Sequence, residues 1–172
     1  MNIVNKMKMK IIKYLLIYGL LLIPGFSFSQ TILKVKVTDL ERIIKNSNTP
    51  MIIDFWATFC KPCAEEIPYF QEAVKKHKKD SVKLLLVSLD LEDYYPKKIR
   101  NFAVKEKYIA PIVWLDESNA DYFCPRVDTS WSGAIPATLF INNKTGYRRF
   151  FEDQLSKEKL EKEILALIGT SN

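Results

Sequence analysis

Asp54-Phe55-Trp56-Ala57-Thr58-Phe59-Cys60-Lys61-Pro62-Cys63 is the stretch from which the fold can be read. The apolar run Met51–Ala57 predicts a buried strand, and Lys61 to about Lys79 predicts a helix with Pro68 inside it. Cys60 and Cys63 therefore fall at a strand-to-helix junction. Two intervening residues bring the two sulfurs within bonding reach, and the positive end of the helix favours the first as a thiolate. Such a pair points to exchange of electrons between dithiol and disulfide. Two other readings stand beside it, a permanent structural disulfide and half of a zinc site. Zinc needs two more ligands, and the chain has one further cysteine, Cys124, and a single histidine, His77, neither at ligand-type spacing.

Outward from this stretch, strands and helices alternate. Thr31–Val37 predicts a strand, and Thr38-Asp39-Leu40-Glu41 a capping box opening a short helix to about Lys45. Val82–Leu89 is a second buried strand, Pro96 to about Lys107 an amphipathic helix, and Ile112–Leu115 a short extended piece. Ala137–Ile141 and Tyr147–Phe151, joined across Asn142-Asn143-Lys144-Thr145-Gly146, predict a β-hairpin. Ser156 caps a last helix over Lys157–Ile168, with Leu160, Ile164, Leu167 and Ile168 on one face. The fold class is α/β, with a mixed central sheet that is parallel in its βαβ part and antiparallel in the hairpin. No repeat or Pro/Gly-rich linker divides residues 30–172, which predict one domain.

The net charge of +6 is misleading, because four of the 26 basic residues, Lys6, Lys8, Lys10 and Lys13, lie in residues 1–29, which hold no acid. The remaining chain carries 22 basic against 20 acidic residues, or +2, with no basic stripe interleaved with aromatics. Nucleic-acid binding is not indicated. The lysines lead into the apolar run Tyr14–Ile23, broken by Pro24-Gly25 and followed by Ser27-Phe28-Ser29. This is the pattern of a secretory signal over residues 1–29, cut before Gln30. The uninterrupted span is shorter than the ~20 residues that cross a bilayer, so cleavage is expected over retention as an anchor. Export to the periplasm or cell envelope of a bacterium would place the dithiol where disulfides persist.

Val35–Phe70 resembles thioredoxin, with the ten residues quoted above matching its active-site signature. Cys63-Ala64-Glu65-Glu66-Ile67-Pro68 is similar to the exported thioredoxin-like proteins of the TlpA/ResA type. Ile135-Pro136-Ala137-Thr138-Leu139-Phe140 resembles the cis-proline segment of that superfamily. The resemblance covers nearly all of residues 31–169 and implies the thioredoxin fold. It implies that Cys60 is the nucleophile and Cys63 the resolving thiol, together a redox-active disulfide. Asp54 becomes the buried acid that takes the Cys63 proton, and Glu66 a contributor to the active site. On its own, Glu66 reads equally as a solvated first-turn acid, and Asp54 as an acid misplaced in an apolar strand, costly unless it works or is paired. Thioredoxin places a lysine near this acid; the corresponding residue here is Leu86.

Pro136 is expected to be cis, leaving Ile135 to pair with an extended substrate strand. Trp56 and Phe59 are candidates for a hydrophobic collar around the substrate, with core packing the default for Trp56. Trp131 shapes a groove or covers its loop. Cys124 reads as a small buried hydrophobe or a further redox thiol, and His77, among lysines at a helix end, as solvated. The resemblance implies an exported thiol-disulfide oxidoreductase that reduces protein disulfides as a monomer. It would need no bound cofactor and no metal, and would be recharged by a membrane-bound thiol reductant. Alternatives are a thioredoxin-fold binding or metal-handling module, and a peroxide-reducing redoxin. The redoxin pattern Pro-x-x-x-Thr-x-x-Cys is missing around Cys60.

Overall fold

The structure is a computed structural model that describes residues 31–169 together with Lys13. The expected signal segment lies outside the described residues. No helix among the described residues is long and apolar enough to cross a membrane.

Six strands, β1 (Leu33–Val35), β2 (Met51–Trp56), β3 (Lys83–Ser88), β4 (Ile112–Leu115), β5 (Ala137–Asn142) and β6 (Tyr147–Phe151), form one sheet in the order β1-β4-β3-β2-β5-β6. The first four run parallel; β5 is antiparallel to both β2 and β6. This is the mixed sheet the sequence predicts. Among residues 31–169, five helices cover it: α1 (Val37–Asn46), α2 (Lys61–Lys76), α3 (Lys97–Lys105), α4 (Ala120–Val127) and α5 (Lys157–Leu167).

Strand alternation sorts the core into two layers. Ile52 and Trp56 of β2, Leu86 of β3, Trp114 of β4 and Phe140 of β5 point toward α2, α3 and α5, which contribute Ile67, Phe70, Ile99, Leu160 and Ile164. Ile53, Phe55, Val87 and Leu139 point the other way, toward Leu40 of α1 and Phe123 of α4. Asp54 alternates between Ile52 and Trp56, so it belongs to the layer beneath α2, where Leu86 and Thr138 are its neighbours in register.

Several boundaries differ from expectation. The first strand stops at Val35, because the cap of helix α1 falls two residues before the predicted one: the Asp39 carboxylate accepts the backbone N–H of Lys36 at 3.0 Å, making Lys36 the cap in place of Thr38. Helix α2 ends at Lys76 and gives way to a 3₁₀ turn over Lys78–Asp80. Helix α4 was not anticipated from the sequence; its eight residues include Pro125. His77 is buried, between Glu161 at 2.9 Å and Asp80 at 3.3 Å, where solvation was expected. It ties the end of α2 to α5.

Candidate functional site

The dithiol lies where β2 hands the chain to α2, at the carboxyl edge of the parallel strands. Cys60 and Cys63 are disulfide-bonded with Cα atoms 5.3 Å apart. Cys60 is the N-cap of α2, its sulfur accepting the Cys63 N–H at 3.3 Å, and Pro62 occupies the first turn, where a missing N–H costs nothing. Cys60 keeps 7% of its surface exposed while Cys63 has none. An incoming disulfide reaches Cys60 only.

The loop ahead of Cys60 is held by Asp90. Its carboxylate accepts the Thr58 N–H at 3.1 Å, the Thr58 hydroxyl at 2.6 Å and the Ser88 hydroxyl at 2.8 Å. The Asp90 carbonyl in turn accepts the Trp114 indole N–H at 2.7 Å. Asp90 was not anticipated, since its partners come from three separate strands and loops.

Phe59, 67% exposed, borders a cavity of about 550 Å³ with Leu91, Trp114 and Ile135 on its walls. Trp56 is fully enclosed, packed against Phe102 and Tyr108 with ring centroids 5.9 and 5.3 Å away. Of the two residues expected to form a collar, only Phe59 faces the groove; Trp56 supports the site from beneath. The Ile135–Pro136 bond is cis, as is Tyr95–Pro96. Neither the N–H nor the carbonyl of Ile135 makes a hydrogen bond among the described residues. Trp131 is buried against Phe55, Phe123 and Phe150, so it packs its loop onto the core and does not line a groove. Cys124 is buried on that same side of the sheet, in the layer away from the dithiol.

Beneath the dithiol two carboxyl groups are sealed in. Asp54 is fully buried, and neither of its oxygens has a hydrogen-bond partner among the described residues. Glu66 is also fully buried, which removes the reading of a solvated first-turn acid. One of its oxygens accepts the Leu155 N–H at 3.0 Å; the other is unpartnered among the described residues. Burial pushes the Glu66 carboxyl up to about 7, against the lowering pull of the Leu155 N–H. Burial, and then the neighbouring Glu66 charge, hold Asp54 well above the ordinary carboxyl range. Where thioredoxin has a lysine, Asp54 faces Leu86; its charged neighbour is another acid. Two acids this close do not both ionise, so the pair titrates as a unit. Among the described residues, no group of three or more His, Cys, Asp or Glu side chains is placed to hold a metal.

A segment that was not anticipated closes the site. Gln154 donates from Nε2 to the Pro62 carbonyl at 3.2 Å, Leu155 holds Glu66, and the Tyr69 hydroxyl donates to the Leu155 carbonyl. Glu152 reaches the other way, to the loop before Pro136.

Residues 23–146 match the AhpC/TSA family. The chain belongs to that family. This AhpC/TSA member is 28% identical over 133 residues to the thiol-disulfide oxidoreductase ResA of Geobacillus kaustophilus, covering 74% of this chain and 71% of that protein. It is 38% identical over 133 residues to ResA of Oceanobacillus iheyensis, covering 74% of this chain and 58% of that relative. The fold is similar to that of a thioredoxin-related protein from Neisseria meningitidis serogroup B, with a TM-score of 0.61, 26% identity, and coverage of 74% of this chain and 91% of that one. With its Cys60–Cys63 pair, this AhpC/TSA member is a thiol-disulfide oxidoreductase of the thioredoxin superfamily.

Proposed function

We propose that the chain is an exported reductase of protein disulfides, working in the periplasm or cell envelope of a bacterium. The observation that carries this reading is the asymmetry of the dithiol: Cys60 keeps an accessible edge and Cys63 has none, in a site that also holds two fully buried acids, Asp54 and Glu66. In the reduced enzyme the Cys60 thiolate attacks one sulfur of a substrate disulfide. A Cys60–substrate disulfide forms, and the first substrate sulfur leaves as a thiolate and takes a proton. Cys63 then gives its proton to the carboxyl pair and attacks the Cys60 sulfur. The Cys60–Cys63 disulfide forms and the second substrate thiolate departs, so two electrons have passed from the enzyme to the substrate. Burial raises both carboxyls, Glu66 to about 7, so near neutral pH the pair, titrating as a unit, is poised to take up that proton.

Phe59 and the cis-proline strand form the docking edge for an extended client segment. A membrane-bound thiol reductant restores the dithiol, and the protein acts as a monomer. The Lys-rich apolar leader supports export. Fractionation tests it: a form cut before Gln30 in the envelope fraction is expected, and a full-length form confined to the cytoplasm overturns it.

Cys63→Ser removes the resolving thiol and leaves the attack by Cys60 intact. This variant should accumulate client proteins in adducts that dithiothreitol dissolves. Absence of adducts in Cys63→Ser, alongside a reductively inactive wild type, sinks the reductase reading. The AhpC/TSA match raises peroxide reduction as a second reading. Against it, Ile53 and Ala57 stand where the peroxide-binding pattern has proline and threonine. Peroxide consumption in the presence of dithiothreitol separates the two readings.

A further inference from the structure

The segment between β6 and α5 holds both walls of the site at once. The Glu152 carboxylate accepts the Ser132 N–H at 3.0 Å, the Ala134 N–H at 2.8 Å and the Ser132 hydroxyl. Two and three residues on, Gln154 and Leu155 bind the Pro62 carbonyl and Glu66 on α2. The loop that Glu152 grips runs directly into Ile135 and the cis Pro136. Its inner side is fixed independently: the Trp131 indole N–H donates to the Ala134 carbonyl at 2.9 Å, and Gly133 takes a φ of +98°, open to glycine alone, over the Cys124 sulfur. The outer side has Glu152 as its anchor. This strap lies beyond the residues matched to the family.

We propose that Glu152 is a positioning residue for substrate docking: by accepting the donors of Ser132 and Ala134 it presets the backbone of Ile135 at the distance from Cys60 that an extended client strand requires. This rests on the protein-disulfide reductase reading above. Glu152 touches neither sulfur, and its oxygens are engaged by the loop, so its effect falls on clients that pair with Ile135. A small disulfide that only needs Cys60 does not use that edge. Charge on the acceptor makes these bonds stronger than ordinary ones.

The test measures wild type, Glu152→Ala and Glu152→Gln with two substrates, insulin and hydroxyethyl disulfide, with dithiothreitol as reductant. In Glu152→Ala the KM for insulin should rise about tenfold, as expected for losing hydrogen bonds to a charged acceptor. Its kcat, its rate with hydroxyethyl disulfide and its reduction potential should stay at wild-type values. Glu152→Gln keeps an acceptor oxygen at the same reach, so it should recover most of the insulin KM. An unchanged insulin KM in Glu152→Ala overturns the proposal, as does an equal fall with both substrates. Failure of Glu152→Gln to differ from Glu152→Ala overturns it too. A wild type that does not reduce insulin at all overturns the reductase reading itself, a result distinct from these.

Discussion

Replacing Cys60 by serine is expected to lower insulin reduction by roughly 10³-fold or more, the scale seen when a covalent nucleophile is removed. The reasons are chemical and geometric. A hydroxyl cannot form the mixed disulfide, and the two remaining thiols cannot substitute for it. Cys63 is fully enclosed. Cys124 lies in the core layer on the opposite side of the sheet, and its thiol is pushed up to about 11 by burial, then by Glu152 and Asp121. Turbidity from precipitating insulin B chain, read with dithiothreitol as reductant, gives the result directly. Activity within tenfold of wild type would mean that Cys60 is not the attacking group.

The second large effect concerns Asp54 and Glu66. Glu66→Gln removes one acid of the pair while its amide oxygen still accepts the Leu155 N–H. Reduction should fall by about 10²-fold, the usual contribution of a proton-transfer group, and the rate should lose its inflection near pH 7. Stability should move the opposite way. Folding raises the Glu66 carboxyl from 4.5 to about 7, so the folded chain keeps a proton that the unfolded chain has released. The contribution is therefore full below pH 4.5 and is lost as pH rises to about 7. At pH 8 the glutamine variant should be more stable than wild type by about 3 kcal/mol, fading to nothing near pH 4. Asp54→Asn should behave in the same sense, its loss setting in above 3.8. Urea unfolding of the oxidised forms from pH 4 to 8 measures this. Parallel curves for wild type and Glu66→Gln would show that Glu66 is not held protonated by the fold. Gain of stability with loss of rate identifies carboxyls kept for chemistry.

Much of this was legible in the chain because it depends on near neighbours. The strand-to-helix junction around Cys60 follows from an apolar run meeting Pro62. The hairpin follows from two β-rich runs about a short polar turn. The last helix follows from Ser156, whose hydroxyl caps the Lys159 N–H, and from its apolar face. Helix α4 escaped notice because a short helix carrying Pro125 has weak propensity and is held by packing of Phe123 and Val127 on the sheet.

Glu65 and Glu66 show where the chain alone runs out. They are adjacent acids of the same helix, one turn in from its start, and nothing local distinguishes them. Tertiary structure separates them: Glu65 faces solvent opposite Lys61 at 3.7 Å, while Glu66 turns under the dithiol onto the backbone of a residue 89 positions away. Glu152 is the same case, since the loop it anchors lies 18 and 20 residues earlier. The sequence by itself determined the dithiol with its strand and helix, because local geometry and periodicity encode these, while the cis Pro136 was legible only through the resemblance of its segment to thioredoxin. Which carboxyls are desolvated, which aromatic stays exposed beside the dithiol and what holds the loop before Pro136 were decided only by the tertiary structure. Burial and long-range hydrogen bonds exist only once distant segments have packed together.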